Sequence, residues 1–175
     1  MENQEKKWYA LKVFYNKVFE LENKLKVHSD ETYVPVKVVE KMVKGKRTYI
    51  QKPAISSLLF LSATHEQVEN LLPMIEGKAL FYRDKGCKQP TAIPDREMMM
   101  FKKVTSGHSD GLEYFDGNVA KYCTGQRVRV IDGFFQGCEG YIHRIKGDRR
   151  LIVAVEGLVA VATTHIPSAF LEPVQ

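Results

Sequence analysis

Apolar positions change their period several times along this chain, and each change marks an element. Trp8-Tyr9-Ala10-Leu11-Lys12-Val13-Phe14 is rich in aromatic and β-branched residues and predicts a first strand. Asn16 is suited to cap the helix that follows, where Val18, Leu21 and Leu25 recur at helical spacing. Tyr33–Val39 predicts a second strand, with Pro35 placing an edge or a bulge inside it. Lys44-Gly45-Lys46-Arg47 predicts a turn, and Thr48-Tyr49-Ile50 begins the return strand. Leu58-Leu59-Phe60-Leu61 is a short unbroken apolar run, as in a central strand covered on both faces. A second helix opens at Thr64 or His65 and turns Val68, Leu71 and Leu72 to one side, and Ala79–Arg83 returns to strand. Pro94 and Asp95 start a third helix bearing Met98, Phe101 and Val104. The order β-α-β-β-α-β-α predicts an α+β sandwich with an antiparallel sheet.

From Ser106 to Thr124 the periodicity fades into polar and glycine-rich sequence, which predicts a linker in which Leu112, Tyr114 and Phe115 are the residues able to dock. Beyond it only short strands follow, at Arg127–Ile131, Gly140–Lys146, Leu151–Glu156 and Leu158–Thr164. In the first of them Val128 and Val130 alternate with Arg127 and Arg129, the pattern of a strand buried on one face. The last two are β-branched and flank Glu156-Gly157, a hairpin signal. The chain thus divides into an α+β domain over 1–105, a linker over 106–124 and a small β-barrel over 125–175.

Charge singles out one place. The 175 residues carry a net charge of +5. Lys37, Lys41, Lys44, Lys46, Arg47 and Lys52, set against Glu40, supply as much within one predicted hairpin. Such a finger suits a nucleic-acid backbone or another acidic partner, and it equally suits a hairpin kept soluble by lysine. The apolar strand Leu58–Leu61 presents Leu58 and Phe60 on one face and Leu59 and Leu61 on the other. Two helices cover one face of a small sheet, so the second face is expected to meet solvent, the barrel or a partner.

Catalytic chemistry has no residue set to support it. There is no phosphate-binding glycine loop, and the five histidines are scattered without metal-ligand spacing. The three cysteines, Cys87, Cys123 and Cys138, show no CxxC pairing and fit free thiols in a reducing compartment. No metal or cofactor is expected, and the protein is not expected to be an enzyme. With a polar N-terminus and no run near the roughly 20 apolar residues of a span, a cytoplasmic, non-membrane protein is expected.

The stretch Gly125–Tyr141 resembles the KOW motif, the strand–loop–strand element of an SH3-like barrel found in NusG-type transcription factors and some ribosomal proteins. The matching residues are Gly125, Val128, Val130, Gly133, Phe135, Gly137 and Gly140. With the α+β domain opening on Trp8-Tyr9-Ala10 and the basic finger Val43-Lys44-Gly45-Lys46-Arg47-Thr48, nearly the whole chain resembles the NusG family, in which an NGN domain precedes a KOW domain. Arg129-Val130-Ile131-Asp132-Gly133 and the closing His165-Ile166-Pro167-Ser168-Ala169-Phe170-Leu171-Glu172 are similar to its specialised paralogues, RfaH and the UpxY proteins of capsular polysaccharide operons. Many relatives carry Phe-Pro-Gly/Asn-Tyr before the central strand. Here Ile55-Ser56-Ser57-Leu58 keeps the apolar ends and lacks both aromatics.

The resemblance implies a non-enzymatic, monomeric elongation and antitermination factor for capsular or exopolysaccharide operons. Its polymerase contact, the clamp helices of the largest RNA polymerase subunit, would fall on Leu11, Ile55, Leu58 and Phe60. Lys41, Lys44, Lys46 and Arg47 would meet upstream or non-template DNA. Phe134 and Arg144 would meet Rho, a ribosomal protein or nascent RNA. The alternative is a ribosome- or RNA-binding KOW module without polymerase activity.

Overall fold

The central strand of the N-terminal unit is apolar at nearly every position because it is covered on both sides. The structure is a computed structural model and describes residues 5–107 and 110–175. The chain forms two compact units, the first ending at Asp95 and the second running from Arg96 to Gln175.

In the first unit, strands β1 (Lys7–Val13), β2 (Glu31–Tyr33), β5 (Leu58–Ala63) and β6 (Ala79–Phe81) form one sheet in the order β2-β5-β1-β6. β5 is buried along its whole length. Helices α1 (Val18–Leu25) and α2 (His65–Ile75) pack Val18, Leu21, Leu25, Val68, Leu71 and Ile75 onto Leu11, Leu59 and Leu61. Thr64 begins α2 as a full capping box: its hydroxyl accepts from the Gln67 amide, and the Gln67 side chain accepts from the Thr64 amide. Asn16, by contrast, is not a cap. It adopts φ 56 in the turn before α1, and the helix starts after Lys17 without a side-chain cap. The expected second strand breaks at Pro35, which has no amide hydrogen to give a ladder. β2 ends before it in the main sheet, and β3 (Val36–Val43) begins after it, pairing only with β4 (Lys46–Pro53) as a separate two-stranded hairpin.

The second unit takes in helix α3 (Asp95–Thr105) and a six-stranded antiparallel sheet in the order β12-β8-β9-β10-β11-β7. Its strands are β7 (Glu113–Asp116), β8 (Arg127–Val130), β9 (Glu139–Ile145), β10 (Asp148–Val155), β11 (Val159–His165) and β12 (Leu171–Pro173). The stretch expected as a linker over 106–124 is therefore partly sheet. β7 adds to the edge of β11, and the 3-10 turn Val119–Tyr122 follows it. The reason lies in alternation: register places Ile152, Ala154, Ala160 and Ala162 together on one face. Those alanines leave room for Val119, Phe115 and Tyr122, whose rings stack at 4.3 Å. No helix among the described residues is long and apolar enough to cross a membrane.

One buried charge organises this unit. The Glu139 side chain is only 3% exposed, yet its carboxylate lies 2.6 Å from Arg96, 2.8 Å from Arg129 and 3.2 Å from Arg127. Burial pushes its pKa up, but the Arg129 hydrogen bond and the charges of Arg96, Arg129 and Arg127 outweigh it and hold the carboxyl below its ordinary range. A carboxyl lowered on folding stabilises above its unfolded pKa, and that stability is lost as pH falls through the folded value. Glu139→Gln should cost about 1–3 kcal/mol at neutral pH. It should also remove part of the acid-side loss, as read from urea melts across pH. Equal neutral-pH stability would show that the cluster is only a surface network.

Candidate functional site

The β3–β4 hairpin is built by its turn. Lys44 and Gly45 take φ 50 and 75, the two left-handed positions of a two-residue loop whose twist matches the strands. A Cβ at Gly45 would meet open space, so backbone conformation alone favours glycine there. At the base, Ala54 donates to the Pro35 carbonyl at 2.7 Å, and Val36 packs against the core of the first unit. Strands of this length extend roughly 26 Å, and from Glu40 to Tyr49 every residue is exposed.

Pairing in this hairpin runs from Val36 opposite Pro53 to Val43 opposite Lys46 without a shift. Because side chains alternate, that register sorts the charges by face. Lys37, Lys41, Lys46 and Lys52 share one face, and its other members, Val39, Val43, Thr48 and Ile50, are uncharged. The opposite face carries Val38, Glu40, Met42, Arg47, Tyr49 and Gln51. Lys37 stands directly opposite Lys52, a like-charge pair that works against folding. A face that tolerates this repulsion is suited to an anionic partner.

Two of the expected nucleic-acid residues, Lys41 and Lys46, lie on that face, and Lys44 is in the turn beside it. Arg47 does not belong with them. It sits on the other face, 3.3 Å from Glu40, where its charge is partly answered. Lys37 and Lys52 complete the lysine face instead, a grouping that period-two counting outward from the turn would have found.

The residues expected at a polymerase contact divide in the same way. Leu11 pairs with Leu59 and lies in the helix-covered core, whereas Ala10 pairs with Phe60 and Lys12 with Leu58. Leu11 therefore points away from the face that carries Leu58 and Phe60. That face was expected to meet solvent, the barrel or a partner, and with Leu58 3% and Phe60 0% exposed it is not open to solvent. Ile55, in the connection between β4 and β5, is half-buried and accessible.

In the second unit the glycine-punctuated stretch forms β8, a loop and β9. Val128 and Val130 are buried between exposed Arg127 and Arg129, and Gly125, Gly133 and Gly137 take positive φ. Phe134 is 60% exposed, with Phe135 edge-on to it at 5.1 Å and half-buried. Arg144 is exposed, while Arg150, on the neighbouring strand β10, is largely covered and lies 3.4 Å from Glu113. Cys138 is buried, Cys87 exposed and Cys123 intermediate, and all three are free thiols.

A family model described as "Transcription termination factor nusG" matches residues 6–102. Among solved structures, the chain is similar to the one titled "Domain interaction in Thermotoga maritima NusG". That match has 15% identity and a TM-score of 0.54, and it covers 98% of each chain. At that identity the likeness speaks for the fold. No curated protein sequence matches the chain.

Proposed function

The chain belongs to the NusG family of transcription factors, and on that premise we propose that it is an elongation and antitermination factor that binds RNA polymerase. The observation that carries this reading is the lysine face of the β3–β4 hairpin, raised on the unit that the family model matches. Lys37, Lys41, Lys46 and Lys52 neutralise phosphates of the upstream DNA, with Lys44 at the tip, and such contacts bring affinity without reading sequence. The polymerase contact, on the clamp helices of the largest subunit, centres on Ile55 beside the face of Leu58 and Phe60. Residues 125–175 act as a KOW domain, with Phe134 and Arg144 meeting Rho, a ribosomal protein or nascent RNA. The similarity of residues 129–133 and 165–172 to RfaH and UpxY proteins supports service of a capsular or exopolysaccharide operon. The factor works as a cytoplasmic monomer and shifts polymerase between conformational populations rather than performing chemistry.

Ile55→Glu tests the polymerase contact. It should abolish co-purification of polymerase subunits while circular dichroism remains that of the parent protein. Undiminished co-purification would place the contact elsewhere. Recovery of ribosomal subunits without polymerase would instead favour a ribosome- or RNA-binding module.

A further inference from the structure

The stretch from Glu113 to Tyr122 covers one face of the second unit without satisfying everything beneath it. Register sets Phe115 opposite Ala160 and Glu113 opposite Ala162, over the face that also carries Ile152 and Ala154. Phe115 stacks there on Tyr122, and Val119 is buried. On the same face His143 of β9 stands opposite Arg150 of β10, and the Tyr122 ring meets the imidazole edge-on at 6.0 Å.

Two polar atoms are trapped under this cover. His143 Nε2 and Arg150 Nε are buried and have no hydrogen-bond partner among the described residues. Arg150 Nη1 does donate, to the Gly111 carbonyl and to Glu113, but both contacts are 3.4 Å, beyond the usual length of such a bond. Glu113 also faces Lys146 at 3.8 Å, a side chain 77% exposed, so that attraction is screened. A buried polar atom without a partner favours any state that returns it to water.

The backbone provides the means of release. β7 has four residues and ends the sheet, and Gly111 and Gly117, at φ 79 and 81, bracket it as hinges. β10, by contrast, is paired on both sides and buries Leu151, Ile152, Val153 and Val155. A segment with little buried apolar surface and long polar contacts opens well below the free energy of global unfolding. We propose that Glu113–Tyr122 is a strap that opens as one unit while β8–β12 stay folded, poised to do so by His143 and Arg150. Opening uncovers the edge of β11 over Val159–Ala162 and returns the strap to the connection between α3 and β8. A paired edge offers no free backbone groups, so the docked strap keeps that edge closed.

Native-state hydrogen exchange of the full chain tests the strap. Amides of 113–116 and of 119–122 should share one protection factor, about 100-fold or more below that of Leu151–Val153. Phe115→Ala removes the ring from the alanines and should lower protection of both stretches about tenfold or more, leaving β10 unchanged. His143→Leu removes a trapped polar atom and should raise strap protection about fivefold or more. Strap protection equal to that of β10 would overturn the proposal, as would an equal loss in strap and β10 on Phe115→Ala. Separate protection factors for the two stretches would overturn opening as one unit. Strap protection unchanged or lowered in His143→Leu would remove the trapped atoms as the reason for it.

Discussion

Replacing Lys37, Lys41, Lys46 and Lys52 together by Gln should lower the slope of log K against log salt for duplex DNA by about 3.6, four contacts at about 0.9 each. At about 0.1 M salt this amounts to a loss on the order of a thousandfold in affinity. The four residues lie on one face of a two-stranded ribbon and are exposed, so the substitutions remove charge without removing core. The Lys37–Lys52 repulsion is relieved at the same time, and the hairpin should be at least as stable as before. Arg47→Gln is the internal comparison. Its guanidinium lies on the other face beside Glu40, so its slope should change by less than one contact's worth. Titrations of a labelled duplex at several salt concentrations measure both. An unchanged slope in the quadruple variant would reduce the lysine face to a solubility feature.

Gly140→Ala should strongly destabilise the C-terminal unit. A Cβ at Gly140 would be driven into the carbonyl oxygen of Ile152 on the neighbouring strand β10, with the Leu151 side chain 3.3 Å away. A side chain in the way could rotate, but a backbone carbonyl moves only if the two strands part. Overpacking of this kind costs typically 1–3 kcal/mol and at times more, and the rigid obstacle places this case at about 3 kcal/mol. For a unit of this size, 1 kcal/mol shifts the melting temperature by about 4–8 °C. Calorimetry of the full chain should show the C-terminal transition lowered by about 12 °C or more. Gly45→Ala separates crowding from conformation: its Cβ would meet open space at φ 75, so only the left-handed backbone is penalised, by about 1–2 kcal/mol. Equal losses in the two variants would show that crowding at Ile152 is not the cause.

The fold was legible where side chains alternate strictly or recur at helical spacing. The start of α2 at Thr64 and the alternation of Val128 and Val130 are local, because a neighbour a few residues away decides each, whereas Pro35 was read as an edge or bulge in one strand and in fact divides two. The segment 106–124 was not legible as sheet. β7 exists only because the β11 edge is unpaired and alanines at 154, 160 and 162 leave space beside it, and both belong to residues far along the chain. Asn16 was misread because a good cap residue also tolerates left-handed φ, and this turn uses the second property.

The sequence by itself determined that residues 37–52 hold a concentrated basic hairpin, that Leu58–Leu61 is a central strand, and that glycines punctuate β8–β9. Each follows from composition and spacing along a short stretch. Only the tertiary structure decided which charges act together. Register gathers Lys37, Lys41, Lys46 and Lys52 on one face and sends Arg47 to Glu40 on the other. It turns Leu11 toward the helices and away from Phe60. It also brings Lys78, in the turn after α2, to a cavity lined by Phe14, Leu21 and Lys24. The physical reason is common to all three: a side chain's direction is set by the strand or helix beside it, and that neighbour is chosen by packing across the chain.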